Sequence, residues 1–155
     1  MVIAGTGPLE HELKRLAMAL EIDDRVKFLG FVADTRAWMK AADGFVLSSR
    51  WEGLPMGLIE AAACGVPAVA TDVAGSNEVI VNGESGWLAA FGSAELLAEK
   101  MRLLMNAAPD KRRAMGDRAR KLTVDRYSLA TVLDRWEALY GELLERNPQP
   151  KRWAN

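Results

Sequence analysis

The sequence predicts an α/β fold, a Rossmann-like doubly wound parallel sheet followed by C-terminal helices. Three observations carry that expectation. Short apolar runs of strand length, at residues 2–4, 26–30, 44–47, 68–70 and 87–89, alternate with helical stretches, as crossover units do. Two of the runs, 44–47 and 68–70, show no polar alternation, the pattern of strands covered on both faces. From residue 93 onward the chain reads as helix throughout. Crossovers between parallel strands are almost always right-handed, which places ligands at the carboxyl ends of the strands.

The first strand, 2–4, runs into Gly5-Thr6-Gly7-Pro8 and a helix to about residue 20, with Leu9, Leu13, Leu16, Ala17 and Leu20 on one stripe. The second strand, 26–30, leaves through Phe31 and Val32 toward a short helix capped by Asp34 that carries Trp38 and Met39. A third strand leads into the central segment. After 68–70 come a loop at 71–75, a turn of helix at 76–81, a turn bracketed by Gly83 and Gly86, and the last strand. Ser93 caps a helix to about 106, Asp110 opens one to about 125, and Ser128 caps the last, in which Leu129, Val132, Leu133, Trp136, Leu139, Tyr140 and Leu143 recur at helical spacing.

At 155 residues, 50% of them hydrophobic, the chain suffices for one domain, assigned to 1–146, with 147–155 as a loose tail. With 20 Lys+Arg against 21 Asp+Glu, bulk charge offers nothing to a nucleic acid. The single cysteine, Cys64, excludes an internal disulfide and fits a reducing compartment, where it reads as a small core residue. No run approaches the ~18 apolar residues of a membrane span, and residues 1–5 lack the basic start of a signal peptide. The reading is cytoplasmic. His11, without a second His or Cys nearby, reads as a solvated helix residue and not as a metal ligand. The basic run 111–121 reads as a solvated helix face or as a patch for peripheral membrane contact.

The central segment, residues 48–67, holds two carboxylates with seven residues between them. Pro55 suits the first turn of a helix and Gly65 the residue past its end, so the helix spans about 55–64. Glu52 then lies in the turn before the helix and Glu60 on its second turn. The N–H groups of Met56, Gly57 and Leu58 point out of the helix start with the positive end of its dipole, which makes an anion site. Gly57 has no side chain to hold a ligand off. Carboxylates only accept hydrogen bonds, so one on each side suits a ligand whose hydroxyls flank a phosphate.

Glu52-Gly53-Leu54-Pro55, Glu60-Ala61 and Cys64-Gly65-Val66-Pro67 are followed in order by Asp72-Val73-Ala74-Gly75-Ser76-Asn77-Glu78-Val79-Ile80 and Asn82-Gly83-Glu84-Ser85-Gly86-Trp87-Leu88. With these blocks the chain resembles the donor-binding, C-terminal half of retaining glycosyltransferases of the two-Rossmann-domain (GT-B) type, family 4 or group 1, over roughly residues 1–140. The resemblance implies that Glu52 contacts the sugar hydroxyls, that the amides of Met56, Gly57 and Leu58 hold sugar and diphosphate, and that Glu60 holds the ribose. Pro55 cannot donate a hydrogen bond. The resemblance further implies that the Gly5 turn borders the donor pocket and that the backbone of Phe31 and Val32 lies against the nucleobase. From the residues alone, Gly5-Thr6-Gly7 is a plain turn lacking the third glycine of the dinucleotide fingerprint, and Phe31 and Val32 read equally well as core residues.

The implied reaction transfers a sugar from a nucleotide-diphosphate donor to an acceptor sugar or lipid-linked glycan with retention. No cofactor or metal is expected, since fixed donors stabilise the leaving diphosphate and the sequence has no Asp-x-Asp pair. Two carboxylates are also the apparatus of glycoside hydrolysis, but one of this pair falls to the ribose and the parallel-sheet context is wrong. Two-domain relatives carry an N-terminal acceptor domain, and their second domain opens with a Gly-Arg strand and loop and a nearby Lys. Nothing in residues 1–155 corresponds to these, so the first strand here matches the family's second, and a central strand is absent from the usual order 3-2-1-4-5-6. Three outcomes are expected: strands 2–4 and 45–47 pair directly, another chain or copy fills the gap, or the polypeptide is a truncated product. Alone, the chain is expected to be inactive, or to serve as a noncatalytic nucleotide-sugar binding subunit of a split enzyme.

Overall fold

The computed structural model describes residues 1–146, so the predicted loose tail lies outside the described residues. In chain order the elements are β1 (Val2–Ala4), α1 (Glu10–Ala19), β2 (Lys27–Gly30), α2 (Arg36–Ala41), β3 (Phe45–Leu47) and α3 (Met56–Ala63). They continue with β4 (Ala68–Asp72), α4 (Ser76–Val79), β5 (Gly86–Ala90), α5 (Ala94–Asn106), α6 (Pro109–Tyr127) and α7 (Leu129–Arg146). Every ladder is parallel, so the fold is the α/β class expected, with helices closing the chain.

The described strands form two sheets, β1–β2 and β3–β4–β5. Direct pairing of β1 with β3, the first expected outcome, is not among the ladders. The chain divides into two compact units, Met1–Ala37 and Trp38 onward.

In the first unit Val2 pairs with Lys27 and Ile3 with Phe28, and a register shift then sets Ala4 against Gly30. The predicted stripe on α1 forms, but only Ala17 is buried, and Leu9, Leu13, Leu16 and Leu20 stay exposed. Strands of three and four residues are too short to cover a ten-residue helix. His11 is exposed, and no group of three metal-ligating side chains occurs among the described residues.

The second unit is built on β4, which has a strand on each side. Its Ala68 and Ala70 are buried against Leu58 of α3, Val79 of α4 and Ile80, with Phe45, Leu47 and Leu88 packed around them. A second cluster joins Met39 of α2 to Ala61 and Val66, and Cys64 sits half-buried against it. The apolar run predicted as doubly covered is only partly so: Val46 is 38% exposed, because β3 has a ladder partner on one side only.

The polar helix α6 docks through small residues. Gly116, Ala119 and Thr123 form its buried stripe. A Cβ on Gly116 would lie 2.0 Å from the Gly65 carbonyl oxygen and 3.3 Å from Pro67 Cδ, so only glycine lets the helix approach the turn after α3. Two of its basic residues serve the fold and are not free to form a membrane patch. The Arg112 guanidinium donates to the carbonyls of Met105 (2.8 Å) and Ala107 (2.9 Å), capping α5, and lies 3.7 Å from Asp43. Arg118 lies 3.4 Å from Glu84. Lys111, Arg113, Arg120 and Lys121 remain exposed.

The caps fall where expected: Asp34 accepts from the Arg36 N–H (3.0 Å), Ser93 from Leu96 (3.1 Å) and Ser128 from Thr131 (3.3 Å). Helix α7 has no buried residue among those described, and Trp136 and Tyr140 stack on each other at 5.6 Å. No described helix is long and apolar enough to cross a membrane.

Gly116→Ala is expected to cost about 2–3 kcal/mol, because the backbone it meets cannot yield without moving α6. Gly141→Ala, in α7 with nothing within 4 Å of the added carbon, should instead stabilise by about 0.5–1 kcal/mol. Urea unfolding of the two variants checks both signs.

Candidate functional site

Helix α3 begins one residue later than its proline. Pro55 is the N-cap, with φ −75° and ψ 96°, and Gly65 closes the other end at φ 76°, a conformation glycine adopts without strain. The first turn spends some of its amides. Leu58 donates to the Pro55 carbonyl at 3.0 Å and Ile59 to the same oxygen at 3.2 Å. The Leu58 amide, expected to be free for a ligand, is therefore engaged, and the Leu58 side chain is fully buried. Met56 and Gly57 are left, and neither N–H has an acceptor among the described residues.

Gly57 has a different reason from the one the sequence offered. A Cβ there would lie 3.2 Å from Phe45 Cζ, so its missing side chain lets α3 settle on β3 and leaves no open space for a ligand. Its backbone N–H is unaffected by that contact. Glu60 lies four residues beyond Met56, on the same stripe of α3, and both side chains are exposed. Helical side chains lean toward the N-terminus, which on this stripe is the direction of the open amides.

Glu52 is half-buried in the loop between β3 and α3. The Ser49 hydroxyl donates to its Oε1 at 2.6 Å, and the Ser49 carbonyl accepts from the buried hydroxyl of Thr71 in β4. From another side, Gly75 packs against the Glu52 and Gly53 backbone so closely that a Cβ would lie 2.3 Å from the Gly53 oxygen. Sequence reasoning gave Ser49, Thr71 and Gly75 no role. Thr71 is 22 residues from Ser49, and no local pattern announces such a link. The loop also exposes Trp51 and Leu54, and Met56 is exposed at the first position of α3.

The remaining predicted residues belong to the first unit. The Gly5 N–H donates to the Gly30 carbonyl at 2.7 Å, which extends the β1–β2 ladder. Phe31 is 81% exposed, so its side chain is not the core residue that one reading allowed; Val32 is partly buried.

Residues 1–122 match the family described as Glycosyl transferases group 1. EpsD of Bacillus subtilis is 34% identical over 151 residues, 97% of this chain and 39% of that protein. N-acetyl-alpha-D-glucosaminyl L-malate synthase of Bacillus anthracis is 30% identical over 151 residues, again 97% of this chain and 39% of the relative. The chain thus spans about two fifths of these curated relatives' length. Among solved structures, Anabaena HepE in complex with UDP superposes with a TM-score of 0.84 at 25% identity, covering 91% of this chain and 40% of HepE. HepE in complex with UDP-glucose gives 0.81 at 27% identity, covering 90% and 40%.

Gly75→Ala should displace the loop that carries Glu52, since the added carbon meets backbone and φ 83° is strained for any side chain. A stability loss of about 2–3 kcal/mol in thermal or urea unfolding is expected. An unchanged melting profile would show that the loop is not held by this contact.

Proposed function

The chain belongs to the group 1 glycosyl transferases, and from that premise we propose that it is the part of a glycosyltransferase that binds a nucleotide-diphosphate sugar. The observation that carries this reading is the start of α3, where two amides without an acceptor share the first turn with an exposed carboxylate one turn behind. The amides of Met56 and Gly57 bind the diphosphate, with the helix dipole adding about 0.3–1 kcal/mol of attraction. Glu60 accepts from the ribose hydroxyls, and Glu52 accepts from a hydroxyl of the transferred sugar.

Transfer proceeds with retention at the anomeric carbon, to an acceptor sugar or lipid-linked glycan. Charge grows on the diphosphate as the glycosidic bond breaks, and donors fixed at that position stabilise it without a metal ion. Catalysis requires the portion of the relatives' length that this chain does not span; the chain by itself binds donor without turning it over. The UDP and UDP-glucose complexes of HepE support this donor class.

Calorimetry with UDP, ADP and GDP and with their glucose conjugates tests the reading. Glu60→Ala should weaken free diphosphate and conjugate alike by about tenfold, the loss for hydrogen bonds to a charged group. Glu52→Ala should weaken only the conjugate, by a similar factor. Equal effects of both substitutions on both ligand types would overturn the assignment of the two acids.

A further inference from the structure

Two hydroxyls, those of Ser49 and Thr71, connect Glu52 to the central strand. The last paired residues of β3 and β4 are Leu47 and Ala70. Beyond them the two backbones are joined by a side chain, the Thr71 hydroxyl donating to the Ser49 carbonyl. Ser49 in turn donates its own hydroxyl to Glu52 Oε1 at 2.6 Å. Thr71 is buried in the central strand, so this link starts from a rigid element and ends on a carboxylate in a loop.

We propose that Ser49 and Thr71 are positioning residues for Glu52, holding its carboxylate so that Oε1 is occupied by the protein and Oε2 is presented to a single hydroxyl of the donor sugar. The inference rests on the donor-binding reading. A glutamate on a loop has three rotatable side-chain bonds, and ordering them only when the sugar arrives would weaken binding. The Ser49 hydroxyl orders the side chain beforehand, and Thr71 keeps Ser49 in reach by fixing the backbone that carries it. Ser49 takes one of the roughly four acceptor positions of the carboxylate and crowds Oε1, which leaves Oε2 the less encumbered oxygen for a sugar hydroxyl. The site therefore reads one sugar hydroxyl in preference to a bidentate pair.

The test uses the full chain and whichever of UDP-, ADP- or GDP-glucose binds it, with the matching free diphosphate as reference. Ser49→Ala should weaken the conjugate about tenfold and leave the diphosphate unchanged. Thr71→Val, which keeps the shape and removes the donor, should act in the same direction, and Thr71→Ser should restore binding. In a Glu52→Ala background, Ser49→Ala should add no further loss, which separates positioning from a general structural role. Urea unfolding confirms that each variant is folded, and Thr71→Ser keeps the test open if Thr71→Val is not. Equal weakening of conjugate and diphosphate by Ser49→Ala, or losses that add in the double variant, would overturn the positioning role while leaving the donor reading intact. A Glu52→Ala variant that binds the conjugate normally would remove the sugar-contact role of Glu52 and this inference with it, and a chain that binds none of the ligands would remove the donor reading as well.

Discussion

The approach of α6 to the turn after α3 constrains everything at the site. With Gly116 against the Gly65 carbonyl and Ala119 and Thr123 buried beside it, the C-terminal end of α3 is fixed in place. Phe45 lies against Gly57 near the other end, and Leu58, Ala61 and Ala62 bury the inner face. A helix held this way along its length has one exposed stripe, and its N-terminal amides point where the body of the second unit aims them. Dispersion contacts are individually small, but a close-packed interface does not deform gradually, so the direction of the amides is set by packing far from them.

The same economy explains why α6 is so polar. Its docking face needs small side chains, since the backbones approach too closely for leucine or valine, and the rest of its surface is free to be charged. Arg112 and Arg118 then act on neighbouring elements, Arg112 closing the open carbonyls of α5 and Arg118 meeting Glu84. A basic stretch in the sequence is thus partly a set of helix caps and cross-links.

The loop carrying Glu52 is held from three directions, by Ser49 within it, by Thr71 from β4 and by Gly75 from the start of α4. An acid in an unrestrained loop would sample many rotamers, and ordering it on ligand binding costs free energy. Preorganisation on the central strand avoids that cost. The second carboxylate, Glu60, stands on α3, whose backbone is already fixed by its packing.

Local chemistry was legible in the sequence: the alternation of strands and helices, the caps at Asp34, Ser93 and Ser128, the span of α3 between Pro55 and Gly65, and the two acids about its start. Each is decided within a few residues, by hydrogen bonds to amides two or three positions away or by the backbone freedom of glycine and proline. Tertiary structure decided which first-turn amides stay open, what Gly57 and Gly116 make room for, how far β3 and α1 are covered, and that a threonine in β4 supports a serine before α3. Those outcomes depend on atoms brought together across long stretches of chain, and a one-dimensional pattern does not encode which backbones will touch.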